Sequence, residues 1–232
     1  MTSNIQSIVD DIQSQSESLK FTLNENKCQE MRIQFSKVQS QCLPLTIYSK
    51  KLALVNQAKM LGVIISNDHK WNSHVDSIVR KASKRISFLR QLKRANVSCD
   101  DLVQFYCMCI RPVVEYASPV FHYALPAYLN DELERIQKSA LSIITSSDTP
   151  YGDALEQIRI STLAHRRRDM CNKIFNSIIN NPDHNLYNLL PTPNANCEHS
   201  LRYTREFNIP LCKTNRLKNS YIILLNCANN RV

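Results

Sequence analysis

Residues 73–94 read SHVDSIVRKASKRISFLRQLKR, and this stretch decides the fold. Val75, Ile78, Val79, Ala82, Ile86 and Leu89 recur at three- and four-residue intervals, the spacing that puts apolar side chains on one stripe of an α-helix. The other positions carry Arg80, Lys81, Lys84, Arg85, Arg90, Lys93 and Arg94, with no acidic residue between Arg80 and Arg94. Arg80 with Lys84, and Lys81 with Arg85, are i and i+4 neighbours, read as facing away from the apolar stripe. Like charges so placed repel by a few tenths of a kcal/mol per pair, roughly. A polyanion lying along the helix relieves that repulsion, because each neutralised phosphate releases condensed counterions.

Downstream, the same periodicity continues. Ser98 can cap a helix whose first turn holds Asp100 and Asp101, which complement the helix dipole. Pro112 should end or kink that helix. Leu133, Ile136, Ala140, Ile143 and Ile144 predict another helix over residues 130–144, and one more is expected from Ser161 to Ile179. Thr149-Pro150-Tyr151-Gly152 reads as a turn at a subdomain boundary. Beyond Asn180 the chain turns to Asn, Pro and polar residues, with a short apolar element at residues 221–225.

Upstream, Ile5, Ile8, Val9 and Ile12 predict an amphipathic helix with Ser3 as its N-cap. Met31, Ile33 and Phe35 then alternate with polar residues, a half-buried strand. Further extended runs are expected around residues 43–48 and 60–65, together forming a small antiparallel sheet. The fold class is therefore α+β, mainly α: residues 1–72 a helix with a few strands, 73–150 a helical bundle, and 151–232 a carboxyl-terminal extension.

Composition narrows the function. The 232 residues carry a net charge of +9, which attracts nucleic acid or an anionic surface. Two glycines argue against phosphate-cradling loops. No apolar run reaches the roughly 20 residues that span a bilayer, and the polar N-terminus shows no secretory signal. An intracellular protein, cytoplasmic or nuclear, is expected. Its nine cysteines then read as reduced thiols outside any disulfide framework. Cys107 and Cys109, like Cys197 and His199, have one residue between them, where zinc pairs usually have two to four. Asp10-Asp11 has the look of a metal-holding carboxylate pair, but its neighbours follow helical spacing, so a solvated helix face is the better reading. His74 is expected to pack or cap at the start of the long helix. No Ser-His-Asp or Cys-His arrangement has local support. Arg166-Arg167-Arg168 forms a second basic knot.

Read in order, these pieces resemble the carboxyl-terminal part of reverse transcriptases from LINE-like (non-long-terminal-repeat) retrotransposons, especially jockey-type mobile elements. Leu23-Asn24, Lys27-Cys28, Met31, Ile33 and Phe35 look like the end of the palm subdomain. Leu61-Gly62-Val63, Ile65, Trp71 and His74 look like the primer-gripping hairpin passing into the thumb. Arg111-Pro112-Val113, Glu115-Tyr116-Ala117 and Pro119-Val120 look like the thumb signature, continued by Leu133-Glu134, Gln137-Lys138 and Ala140, then Leu163 and Arg166-Arg167. The resemblance implies RNA-directed DNA polymerisation, with Mg²⁺ held by palm carboxylates that lie upstream of everything present here. For this chain it implies no catalytic residue and no cofactor. What it does imply is contact with a template-primer duplex or single-stranded nucleic acid, and with the absent palm and fingers. The alternative is a folded interaction module with no nucleic-acid role.

Overall fold

The computed structural model describes residues 4–34, 42–145, 148–192 and Leu211, and it is mainly helical with small sheets, α+β. The chain divides into two compact units, Met1–His74 and Val75–Val232. Ser3, Phe35, Cys197, His199 and the apolar element at 221–225 lie outside the described residues.

In the first unit, helix α1 spans Asn4–Ser18. The helix is where the periodicity placed it, but Ile5, Ile8 and Ile12 are all at least half exposed. Its docking face is built from glutamines instead. The Gln6 amide donates to the Thr46 carbonyl and accepts from the Thr46 N–H, both at 3.0 Å, and Gln13 accepts from the Tyr48 N–H at 3.1 Å. A glutamine amide has the donor and acceptor of a peptide group, so Gln6 extends a strand edge as a neighbouring strand would.

The extended segments differ from the single antiparallel sheet expected. Three two-stranded pairs form. Strand β1 (Gln29–Glu30) pairs in parallel with β4 (Ala53–Leu54), and β2 (Thr46–Ile47) pairs antiparallel with β3 (Lys50–Lys51). Met31 and Ile33 follow β1 without joining a strand, despite their alternation. The reason lies in Glu30, whose buried carboxylate accepts from Arg32 and from the Leu45 N–H, bending the chain around one acid. The run at 60–65 is a hairpin, not one strand. Strands β5 (Gln57–Met60) and β6 (Val63–Ser66) pair antiparallel with Met60 opposite Val63. The two-residue loop between them has φ 47° at Leu61 and 86° at Gly62, the two positive values of a type I′ turn.

The described residues of the second unit form helices joined by turns and loops. Helix α2 (Asn72–Arg94) buries Val75, Ile78, Ala82, Ile86 and Leu89. Helix α3 (Cys99–Phe105) is capped by Ser98, whose hydroxyl accepts from the Asp101 N–H. It passes into a π-helical turn at Tyr106–Ile110 and continues as α4 (Arg111–Glu115), with Pro112 in its first turn. A proline has no N–H to give and its ring crowds the preceding turn. The π-turn accommodates this by an i−5 bond from the Arg111 N–H to the Tyr106 carbonyl.

Helices α5 (Ser118–Phe121), α6 (Ala127–Ile144), α7 (Tyr151–Ile158) and α8 (Leu163–Ile179) complete the bundle, with α5 and α6 both packed on α8. Pro150 occupies the N-cap of α7, so Tyr151 and Gly152 open a helix that packs on α6 where a bare turn was expected. No described helix is long and apolar enough to cross a membrane.

Candidate nucleic-acid interface

Helix α2 advances about 100° per residue, which places Arg80, Lys84, Arg90 and Arg94 within roughly 120° of one another. Their centre lies on the side opposite the buried stripe. All four are exposed, spread along about 21 Å of helix, and among the described residues none forms an ion pair. Lys81 is exposed beside them. Asp76 is the helix's one acid, and Arg80 donates to its backbone carbonyl, not to its carboxylate.

Arg85 and Lys93 belong to the same run but are used differently. Arg85 falls at the flank of the buried stripe, and Lys93 continues the stripe itself near the end of the helix. The Arg85 guanidinium donates to the Cys109 carbonyl in the π-turn, and Lys93 Nζ donates to the Ile144 carbonyl at 2.9 Å. Ile144 ends α6, where carbonyls lack helical partners, so Lys93 is a C-terminal cap complementing that helix's dipole. The outward face expected for Lys81 with Arg85 is thus divided between them. Arg85 ties two helices together.

The knot Arg166-Arg167-Arg168 is likewise split three ways. Arg166 forms a bidentate pair with buried Glu115 at 2.5 and 3.2 Å, and Arg111 approaches the same carboxylate at 3.9 Å. Glu115 holds the Arg166 guanidinium still more firmly protonated than usual. Arg167 is fully enclosed; its Nη2 donates to Asn130 Oδ1 at 3.1 Å, while Nε and Nη1 have no hydrogen-bond partner among the described residues. Burial lowers its pKa, opposed by the charges of Glu134 and Glu115. Arg168 alone of the three is exposed, and it meets His165 Nδ1 at 2.8 Å.

Two acids that hold this unit together were legible only through the family resemblance. Glu115 is buried at the end of α4, and a buried charge requires a partner. Glu134 accepts from the Leu163 and Ala164 N–H groups, both at 3.2 Å, and from the Tyr151 hydroxyl. Its carboxylate therefore sits on the N-terminus of α8, where the dipole favours negative charge. The bond to Glu134, after burial, pushes the Tyr151 phenol far above its ordinary range.

Of the remaining singled-out residues, those at 61–63, His74, Asp10 and Asp11 lie in the first unit. Leu61 is 86% exposed at the hairpin tip, Gly62 half-buried and Val63 buried. His74 is buried, accepts from the Ile64 N–H at 3.3 Å and meets Trp71 edge-on at 5.9 Å, fastening the start of α2 to β6. Asp10 and Asp11 are exposed on α1, and Gln6 donates to Asp10 at 2.7 Å. Cys107 and Cys109 are free thiols, and among the described residues no three His, Cys, Asp or Glu side chains gather to hold a metal ion.

A bundle with one outward cationic face is the kind of surface that meets polyanions, and similarity to known proteins bears on which kind. Over 131 residues, 56% of its length, the chain is 26% identical to the RNA-directed DNA polymerase from mobile element jockey of Drosophila funebris. It spans 14% of that protein's length. Residues 71–111 match a family model described as alkylated DNA repair protein alkB homolog 8, N-terminal. No solved structure matches the chain.

Proposed function

We propose that the helical unit grips nucleic acid through phosphate contacts along the outer face of α2, as the non-catalytic, thumb-like part of a retrotransposon RNA-directed DNA polymerase. The observation that carries this reading is the set Arg80, Lys84, Arg90 and Arg94: exposed, on one face and, among the described residues, without carboxylate partners. The likeness to the jockey polymerase supports it, since that protein's name gives it an RNA template and a DNA product. Phosphate contacts position a protein without reading bases, so affinity should vary little with sequence. The hairpin at Leu61-Gly62-Val63 takes the primer-grip role in the same proposal.

Salt dependence tests it. Each phosphate neutralised contributes about −0.9 to the log–log slope for a B-form duplex, so four contacts give roughly −3.6. Replacing Arg80, Lys84, Arg90 and Arg94 by Gln keeps helix propensity. The expected result is a folded variant whose slope is shallower by about three units. Neutralising Lys50, Lys59, Lys70 and Lys173, exposed on other elements, should leave most of the slope in place. An equal loss in both variants would show diffuse attraction and overturn the grip.

A further inference from the structure

Phe88 lies on the outer side of α2, off the apolar stripe that Ile86 and Leu89 occupy. It is 56% exposed, while Ile86 and Leu89 are 4% and 0% exposed. Its helical neighbours are Lys84 one turn before it and Gln91 and half-buried Leu92 one turn after, with Lys81 two turns before. Arg85, the other neighbour one turn before, is committed to the Cys109 carbonyl. Helical side chains lean toward the N-terminus, so the ring covers the turn that carries Lys84 and Arg85.

We propose that Phe88 is a stacking platform for an unpaired base, and that the α2 face therefore takes nucleic acid with a single-stranded stretch in preference to a fully paired duplex. This rests on the phosphate-contact reading above and names the form of its substrate. A solvent-facing phenyl ring forgoes burial that would stabilise the fold. A protein partner would cover it with a broad apolar surround, whereas here the exposed neighbours on the outer side are two lysines and a glutamine, with half-buried Leu92 at the edge. A ring-wide apolar plane bordered by cations matches a polynucleotide with one base turned out: the base lies on the ring while the adjoining phosphates meet Lys81 and Lys84. Single-strand-binding surfaces combine these elements, a cationic track and aromatic rings on which bases stack without regard to identity. Inside a closed duplex both faces of each base are occupied, and Phe88 has nothing to stack on.

The test uses the full chain with a 16-nucleotide single strand and a blunt duplex of the same length, titrated at fixed salt, comparing wild type with Phe88→Ala, Phe88→Leu and Phe88→Trp. Phe88→Ala should weaken single-strand binding about tenfold or more, the effect of losing one stacked base. Duplex binding and the salt slope should stay as they were. Phe88→Trp should restore the single-strand affinity, and Phe88→Leu, apolar but without a π face, should not. A 2-aminopurine within the strand should be quenched by wild type and by Phe88→Trp only. Circular dichroism confirms folding; the position is exposed, so all three variants should retain the helix. Equal effects of Phe88→Ala on strand and duplex, no effect on either, or full rescue by leucine would overturn stacking. Failure of the four-residue Gln variant to lower affinity would instead remove the phosphate contacts themselves, so the two readings fall separately.

Discussion

His122 is enclosed in the second unit with its ring 4.9 Å from that of Tyr123, and its Nδ1 has no hydrogen-bond partner among the described residues. Burial, reinforced by the charges of Arg167 and Arg168, pulls its pKa down to about 4. The unfolded chain returns it to an ordinary imidazole near 6.5. Between those values the unfolded state binds a proton that the native state refuses, so stability is full above about pH 6.5 and falls as pH drops toward 4. From pH 7.5 to 5 this amounts to roughly 2 kcal/mol. His122→Phe keeps an aromatic ring and removes the titration. Urea unfolding at the two pH values should show that difference shrink by about the same amount. An unchanged difference would mean that His122 titrates normally. None of this was readable from residue 122 alone, because its environment comes from α8. The arginine run was more legible. Adjacent helical residues point about 100° apart, so three in a row cannot share a face. Arg167 is the one turned inward because it falls on the buried stripe of α8 with Leu163, Cys171, Phe175 and Ile178.

Among the elements, the long amphipathic helices were the readable part. Apolar stripes at helical spacing mark α2, α6 and α8 in the sequence, because burial against the bundle demands them. The segment from α3 to α4 carried a subtler signal. Leu102, Tyr106, Ile110 and Val114 are all fully buried and spaced by four. In a regular α-helix each such step drifts by about 40°, roughly 120° over the set. The π-turn underwinds the chain and absorbs that drift, so a strict period of four ahead of a proline was the available clue. The β segments were harder. Two-residue strands lack enough alternation to fix a register, and Glu30 and Gln6, both polar, organise them. The hairpin turn was legible only through the family resemblance, because the apolar residues on both sides of Gly62 read as one extended run. Leu61 shares that turn at φ 47°, a conformation costing a non-glycine residue about 1 kcal/mol, and asparagine tolerates it better. Leu61→Asn should therefore raise the stability of the first unit by several tenths of a kcal/mol to about 1. Hydrogen exchange at the Val63 and Ile64 amides would report it; faster exchange in the variant would show that the leucine side chain contributes more than its backbone strain costs.

At the scale of the molecule, the net charge of +9 overstates what a partner can meet. Arg85 and Lys93 bind carbonyls, Arg166 is neutralised by Glu115, and Arg167 is enclosed. What remains outward on α2 is a narrow line of cations with one aromatic ring beside it. The fold class followed from composition and periodicity, whereas the division between working and structural cations depended on long-range partners such as Ile144 and Cys109. The burial of Arg167 has a consequence for proteolysis. A protease that cuts after basic residues can engage the exposed Lys20 beyond the end of α1 without disturbing the bundle. It reaches Arg167 only when the second unit opens. Cleavage after Arg167 should therefore accelerate with urea in step with unfolding of that unit, while cleavage after Lys20 stays nearly constant. One digestion, read as two fragment time courses, would then clock the opening of the bundle from within its own sequence.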